Sequence, residues 1–378
     1  MRLTQVLSYN VFGAMALILA ASADAQIPTS AHAQTPKPGP AAIPPPFVAS
    51  GQPEGITAVP PPPPGFDPTT ASAEETARYK IPPAPDAKTS PQGYAAWAAA
   101  VTPTARRQSP VITKTNISNG PMRGAGGATP ISSNAMTTTN SHWSGSAAVN
   151  IANPNDVEAI QMYFVVPEAQ QAFGACDGGW DYTVVWPGID GFSNNDVLQG
   201  GVLTEAYCNG GTKSTYYSAW IEWYPNNLST VSSPAITPGD YLYVEVWNTS
   251  PTQGYVFFHD YTSNVTATYA LTAPSGTTLQ GNSVEWIVER PSVGGGLATL
   301  TNYVDVPQSY GIAWDYNASS KTYYFPNLSP TVGTLYYITM FDNNGNNIST
   351  GYGGAYFSLL FEDYGSACGA SVTKAPPC

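Results

Sequence analysis

Carboxylates, amides and aromatic rings are the side chains of this sequence that could do chemistry. There is no Gly-x-Ser-x-Gly elbow, no His-Glu-x-x-His pair, no phosphate-binding glycine loop and no Rossmann fingerprint. His259 and Asp260 are adjacent, and adjacent strand residues point to opposite faces, so they cannot work together in a serine triad. The three histidines, and cysteines without CxxC spacing, predict neither a metal site nor a cofactor.

Five short segments concentrate the candidate side chains. Because side chains alternate along a strand, each segment can be divided into two faces. Glu285 and Glu289 share one face, and Glu222 shares a face with Trp220 and Tyr224, while the opposite sides read as apolar core. The segments are residues 141–145 (SHWSG), 185–191 (VWPGIDG), 197–201 (VLQGG), 217–225 (YSAWIEWYP) and 282–290 (NSVEWIVER).

A groove lined by acids and aromatic rings follows from this sorting. Gln199 aligns with Val197 and Gly201, and we expect Gly200 and Gly201 to leave room for the backbone of a ligand. By its pattern alone the groove could hold a peptide or a sugar.

The sequence pattern around these residues predicts β-strands. Only 10% of residues are charged and 12% are aromatic, a composition that suits pleated sheets with many turns. Short β-branched and aromatic runs recur at even spacing from about residue 140, which predicts an all-β antiparallel sandwich or barrel. The predicted strands are 158–166, 182–186, 197–203, 215–224, 241–248, 254–260, 264–270, 284–289, 298–304, 309–315, 335–341 and 354–361.

The N-terminus predicts export. Residues 1–25 combine Arg2, an apolar run over 11–21 and an Ala-x-Ala cleavage site before Gln26. The run is too short to span a membrane, so we expect a secreted protein with no membrane partner. Four cysteines fit that compartment, and proximity favours the pairs Cys176–Cys208 and Cys368–Cys378 among three possible pairings.

Residues 26–130 differ from the rest of the chain. They are rich in proline and alanine and carry polyproline runs, which predicts a largely disordered segment with two short helices near 74–80 and 94–101. The segment is basic, whereas residues 131–378 hold 19 acidic and only four basic residues. We therefore expect residues 26–130 to be a propeptide that binds the acidic domain 131–378. Acid should weaken this binding, and self-cleavage between about residues 105 and 140 should release the propeptide. Nucleic acid is excluded as a partner, and a monomer is expected.

The five segments together resemble the glutamic peptidases, or eqolisins. Members carry the patterns WVGIDG, LQTG, AWYEWYP and NAEWI-ED after an early NW-G, and this chain offers WPGIDG, LQGG, AWIEWYP and SVEWIVER after HWSG. The resemblance spans about residues 141–305. It implies a concanavalin A-like (lectin/glucanase-type) β-sandwich and a secreted acid endopeptidase acting on polypeptides.

The resemblance also assigns roles, residue by residue. It puts the catalytic glutamate at Glu285 and the catalytic glutamine at Gln199. Three positions around this pair differ from the family pattern. Leu203 replaces a frequent aspartate, Pro187 replaces valine and Arg290 replaces an acid. Substrate-binding positions are implied at Trp143, Trp186, Asp190 and Tyr224, with Glu222 beside them.

This pair suits peptide hydrolysis. Ionised Glu285 can take a proton from water and return it to the leaving amine, while Gln199 can hold the water and donate to the developing oxyanion. Two alternatives stay open. One is a carbohydrate-binding or carbohydrate-active sandwich, for which Glu285 with Glu222 is the only plausible acid pair. The other is a secreted interaction protein without catalysis.

Overall fold

The computed structural model is mostly β, and strand alternation decides which residues form its core. The structure describes residues 53–101, 106–107, 110–122, 127–152, 158–172, 176–303, 305–317, 321–342, 344–353 and 359–363. Two helices occur in this part of the chain, α1 (Ala73–Arg78) and α2 (Pro91–Ala100). Ser72 begins α1 with a capping box to Glu75, and Pro91 begins α2 at a position where its missing N–H costs nothing.

Twenty-four strands occur in the same described ranges. They are β1 (Ile56–Ala58), β2 (Arg106–Arg107), β3 (Ile112–Lys114), β4 (Ile117–Ser118), β5 (Thr129–Ser132), β6 (Ala135–Asn140), β7 (Trp143–Val149), β8 (Glu158–Val165), β9 (Asp177–Ile189), β10 (Val197–Asn209), β11 (Thr212–Tyr224), β12 (Ser229–Val231), β13 (Tyr241–Ser250), β14 (Gln253–Asp260), β15 (Val265–Thr272), β16 (Ser283–Glu289), β17 (Ser292–Val293), β18 (Gly296–Leu297), β19 (Thr299–Leu300), β20 (Asp305–Asp315), β21 (Tyr323–Tyr324), β22 (Thr334–Phe341), β23 (Asn347–Gly353) and β24 (Leu359–Asp363).

The long strands form two packed layers with mostly antiparallel pairing. The first layer runs β12, β11, β10, β9, β16, β7 and then β22. The second layer runs β20, β8, β13, β14, β15 and β1. Strands β23 and β24 continue the pairing from β22 to β20, so the two layers join along one side.

The core lies between the layers and is built from alternate residues of both. Strands β9 and β10 contact β13 across this space. Such face-to-face packing of twisted sheets is the β-sandwich arrangement. The first layer contributes Val185, Leu198, Val202, Ile221, Trp223 and Trp286, and the second contributes Ile160, Met162, Phe164, Val244, Val246 and Phe258.

The predicted strands and both short helices are confirmed, with exceptions at two places. The predicted strand 298–304 is reduced to the two residues of β19, and the predicted strand 354–361 falls partly on residues outside the described ranges. The expected disordered segment covers less of the chain than its composition suggests. Residues 53–101 and 110–122 pack on the sandwich, β1 as an edge strand on β15 and β3 on β12.

Protein atoms fill the space beside Gly200 and Gly201, which corrects the expectation that these glycines leave room for a ligand. A Cβ added to Gly200 would lie 2.6 Å from Cγ1 of Val256, a residue of the second layer. One added to Gly201 would lie 1.9 Å from the carbonyl oxygen of Val185 on the neighbouring strand. Both positions are therefore small because protein atoms already fill the space beside them.

Candidate active site

Gln199 and Glu285 stand in one row across the first layer. Gln199 pairs with Gly188 of β9 on one side and with Glu222 of β11 on the other, and Glu285 of β16 pairs with Gly188 from the opposite side. Residues directly opposite one another in a sheet point to the same face. The row Glu222, Gln199, Gly188, Glu285 therefore projects onto one surface, the groove face, opposite to the sandwich core.

Gly188 leaves a gap between the two side chains. Gln199 and Glu285 lie two strands apart, a backbone separation of roughly 10 Å at ordinary strand spacing. A Cβ at position 188 would lie 2.6 Å from the ring of Trp186 and 3.3 Å from Cβ of Gln199. Only a residue without a side chain therefore fits between the glutamine, the glutamate and the indole ring.

Glu285 is fully buried and has spare acceptor capacity. Neither carboxylate oxygen has a hydrogen-bond partner among the residues that the structure describes. Burial raises the pKa of Glu285 well above its ordinary value. The nearby Ser283 hydroxyl, whose effect is the second largest, opposes this increase, the negative charge of Asp190 adds to it, and the Phe192 N–H opposes it.

Gln199 donates from its amide and keeps its oxygen free. Its Nε2 donates to the carbonyl oxygen of Asn119 at 2.9 Å and to Oε2 of Glu222 at 3.2 Å. Its Oε1 is buried without a partner among the described residues. The amide thus already engages a peptide carbonyl, and its oxygen remains available to accept from a water.

Asn119 is the residue that the sequence analysis missed. It is fully buried, and its backbone N–H lies 3.1 Å from each carboxylate oxygen of Glu222 while its carbonyl accepts from Gln199. Ser118 Oγ donates to Oε1 of Glu222 at 3.3 Å. No composition or spacing signal marks this position, because its role depends on backbone atoms and not on its side-chain type.

The segment around Asn119 crosses the groove face. Ile117 pairs with Val293, and the N–H of Met122 donates to the carbonyl of Gly191 at 2.8 Å. Between them His142 Nε2 lies 3.2 Å from the carbonyl oxygen of Pro121. We call residues 117–122 the groove segment, since they lie over the row that contains Gln199.

Two further acids are buried on the groove face. Burial raises the pKa of Glu222 and of Glu289 well above the ordinary range, and the nearby charge of Glu222 adds to the shift at Glu289. Glu289 Oε2 accepts from Trp186 Nε1 at 2.9 Å, and Trp143 packs edge-to-face on Trp186 with ring centroids 5.1 Å apart. Trp186 thus holds the Glu289 carboxyl group, and Trp143 packs against Trp186.

Asp190 and Tyr224 occupy different surroundings. The Asp190 carboxylate accepts from three backbone amides, those of Gln280, Gly281 and Asn282, at 2.6–3.0 Å. It therefore fixes the loop that leads into β16, and its φ of +68° marks the tight turn after β9. Tyr224 is half-buried and borders an open cavity with Gly120, Pro121, His142, Glu289 and Leu297.

The glycosidase geometry is not favoured. Glu222 and Glu285 lie three strands apart in the row, a backbone separation of roughly 14 Å at ordinary strand spacing. Paired carboxylates of glycoside hydrolases lie about 5 to 10 Å apart. Glu222 is moreover engaged by the Asn119 backbone and by Gln199.

The disulfide expectation is confirmed where the structure describes it. Cys176 and Cys208 are bonded, at the end of the first layer away from the groove segment. Cys368 and Cys378 lie outside the described residues. Within the described ranges, no group of three or more histidine, cysteine, aspartate and glutamate side chains is arranged to hold a metal ion. No helix of that part of the chain has the length and apolarity of a membrane span.

Residues 141–320 match the family model of the Peptidase A4 family. These residues are therefore similar to a Peptidase A4 domain. This match confirms the resemblance to the glutamic peptidases, and it includes β7, β9, β10, β11 and β16, which carry Trp143, Trp186, Gln199, Glu222, Tyr224 and Glu285, as well as Asp190 directly after β9.

Two curated relatives and two solved structures are similar to this domain. Aspergillopepsin-2 of Aspergillus niger is 28% identical over 184 residues, which cover 45% of this chain and 64% of the relative. Scytalidopepsin B of Scytalidium lignicola is 26% identical over 152 residues, covering 40% of this chain and 52% of the relative. The chain thus spans less than two thirds of either relative.

The solved structures are more distant in sequence. Scytalido-glutamic peptidase with a transition state analog inhibitor is 19% identical, covers 59% of this chain and 98% of that chain, and gives a TM-score of 0.47. Aspergilloglutamic peptidase from Aspergillus niger is 23% identical, covers 48% of this chain and 99% of that chain, and gives a TM-score of 0.40.

Proposed function

We propose that this protein is a secreted, acid-acting endopeptidase that hydrolyses peptide bonds with Glu285 and Gln199. Glu285 is the general base and later the general acid, and Gln199 positions the water and stabilises the oxyanion. Trp143, Trp186, Glu222 and Tyr224 border the substrate, and Asp190 positions the loop beside Glu285.

The observation that carries this proposal is the peptide backbone already held on the groove face. The Asn119 carbonyl accepts from Gln199 Nε2 at 2.9 Å, the bond an amide donor would make to a substrate carbonyl and then to its oxyanion. The N–H of the same residue donates to Glu222. A surface that clamps one residue by both backbone groups suits polypeptide better than sugar.

The chemistry requires an ionised Glu285. Its carboxylate takes a proton from the water that attacks the peptide carbonyl, the C–N bond breaks, and the proton passes to the departing amine. Gln199 Oε1 can accept from that water while Nε2 donates to the carbonyl oxygen. Because burial raises the pKa of Glu285 in the covered site, uncovering the groove would let water in and lower that pKa towards its ordinary value.

We propose further that the chain is made as a precursor. Residues 1–25 direct export, and the groove segment within the 26–130 region keeps the site covered until it is cleaved. Acid favours release, because protonation of the carboxylates of residues 131–378 weakens their attraction to the basic 26–130 segment. The propeptide is thereby a partner of its own domain.

Hydrolysis of an unfolded protein substrate at pH 3.5 tests the reaction class. We expect activity to survive pepstatin, a chelator and a serine/cysteine-protease inhibitor added separately. Glu285→Gln should reduce the rate by roughly 100- to 10,000-fold, the range for loss of a general base.

Glu205→Gln is the matched control for that experiment. Glu205 is another buried glutamate of the first layer, on the same strand as Gln199 but six residues further along. Burial raises its pKa to about 8, so at pH 3.5 it is protonated and glutamine replaces it almost isosterically. Activity lost to a chelator, or full activity in Glu285→Gln, would refute the proposal.

A further inference from the structure

The second layer has its own covering, made by residues 53–101. Its outward surface, which we call the outer face, consists of the side chains of β8, β13, β14 and β20 that point away from the core. Helix α2 lies on this face with Gly93, Ala96, Trp97 and Ala100 buried. The residues that pack together here are Ala96, Trp97, Ala100, Val101, Tyr163, Tyr243, Trp247, Tyr255, Phe257, Ile312 and Trp314.

Backbone pairing extends the same covering along the sheet edge. Strand β1 pairs with β15 in antiparallel register from Ile56 opposite Leu271 to Ala58 opposite Tyr269. The pairing continues on either side, where Val59 donates to Thr268 at 2.9 Å and Thr272 donates to Gly55 at 2.8 Å. Residues 53–59 therefore complete the second layer as its last strand and satisfy the edge of β15.

Side-chain hydrogen bonds also join the covering to the domain. Tyr163 Oη donates to the carbonyl of Ala96 at 2.6 Å, and the N–H of Asp86 donates to Tyr323 Oη at 2.9 Å. The fit around α2 is close, since a Cβ added at Gly93 would lie 2.7 Å from Cδ1 of Ile312. This is the complementarity of a folded core and not of a loosely held leader.

A polar cluster lies beneath the covering and depends on it. Glu245 and Gln161 are opposite one another on β13 and β8, both fully buried, and Tyr243 Oη lies within hydrogen-bond distance of an oxygen of each side chain. Without residues 53–101, water would reach this cluster and the surrounding tryptophans and tyrosines. A contiguous aromatic surface of that kind is a liability for a secreted monomer.

We propose that residues 53–101 are a permanent layer of the working protein and stay bound without a covalent link after the groove segment is cut. The cut itself rests on the proposed function. It is a hydrolysis in which one water supplies the hydroxyl of the new carboxyl group and a proton of the new amine. Only the groove segment must move for substrate to enter, because the outer face lies on the opposite side of the sandwich from Gln199.

The experiment separates this inference from the peptidase proposal. A recognition sequence for a site-specific protease is placed between Val101 and Arg106 in the full chain carrying Glu285→Gln, so that the protein's own activity has no part in the cut. After complete cleavage, size-exclusion chromatography and native mass spectrometry are run at pH 4 and pH 7. We expect the two pieces to coelute at both pH values and to separate only in denaturant.

Trp97→Ala is the informative variant, with Gln92→Ala as its control on the same helix. Trp97 is buried and Gln92 is exposed. Trp97→Ala should weaken the association of the cut pieces by roughly 100- to 1000-fold, the effect of removing a buried tryptophan, and Gln92→Ala should not change it. The inference would be overturned if the larger piece, cut from the Glu285→Gln chain without a substitution in α2, stayed folded and eluted alone at both pH values.

Discussion

The N-terminal part of this chain covers both outward surfaces of the sandwich, and the two coverings differ in kind. On the outer face, α2 and β1 are held by buried aromatic side chains and by a sheet edge. On the groove face, the segment around Asn119 is held through backbone hydrogen bonds to Glu222 and Gln199. Apolar burial does not change with protonation, whereas hydrogen bonds to carboxylates do. We propose from this difference that the covering of the outer face is structural and that the covering of the groove face is reversible.

The largest expected effect is on the pH dependence of stability, and it arises from the buried acids of the first layer. Burial raises the pKa of Glu205, Glu222, Glu285 and Glu289 on the first layer above the ordinary 4.5. The native state therefore keeps protons that the unfolded chain releases above about pH 4.5, so stability is full below that pH and falls as the pH rises. For Glu205 the loss extends to its pKa of about 8.

Glu205→Gln should remove that part of the pH dependence. A shift from 4.5 to about 8 corresponds to a few kcal/mol at about 1.4 kcal/mol per pKa unit. We expect urea unfolding curves of the variant to lose less stability between pH 4.5 and pH 8 than those of the unsubstituted chain, with equal values at pH 4. Identical curves for the two proteins would show that Glu205 titrates normally.

Gly188→Ala should damage the groove face without touching the outer face. The added methyl would lie 2.6 Å from the ring of Trp186 and between Gln199 and Glu285. Overpacking of this kind costs about 1–3 kcal/mol, and displacement of the catalytic pair should lower the rate by roughly 100-fold. Far-UV circular dichroism, which reports the strands, should remain unchanged at pH 4. A variant with normal activity would mean that no reacting group occupies the space over Gly188.

Ser118→Ala should loosen the groove covering by the smallest amount. It removes one hydrogen bond to Glu222, of 3.3 Å, worth about 0.5–1.5 kcal/mol. Self-processing at pH 3.5 should then be about 2- to 10-fold faster, measured by the disappearance of the full-length band. Thr76→Ala in α1 is the control, since it removes a hydroxyl bond to Ala73 on the exposed side of the other covering. Equal acceleration by both variants would argue against a specific role of the groove segment.

Alternation along the strands made much of this architecture predictable. Placing Glu285 and Glu289 on one face and Trp286 on the other followed from spacing alone, and the pairings of β16 agree with it. The row that joins Gln199 to Glu285 through Gly188 needed the strand order as well, which no local pattern contains. The resemblance to the glutamic peptidases predicted that Gln199 and Glu285 act together before the strand order was known.

The two coverings were harder to anticipate for a physical reason. Half of the residues of helix α2 are alanine, so it shows no amphipathic period, and its burial follows from the tyrosines and tryptophans that it meets. Gly200 is small because Val256 of a distant strand presses against it. Asn119 acts through its backbone. In each case the cause lies in a partner far away in the sequence.

The most direct measurement of the central claim is kcat/KM on one peptide for three variants, each cut after the groove segment by a site-specific protease at an inserted recognition sequence: Gln199→Ala, Glu285→Gln and the two together. If both side chains act on one peptide carbonyl and one water, Gln199→Ala loses roughly 100- to 1000-fold and the double variant is no slower than the worse single variant. Full activity in either single variant, or losses that multiply in the double variant, would contradict the account.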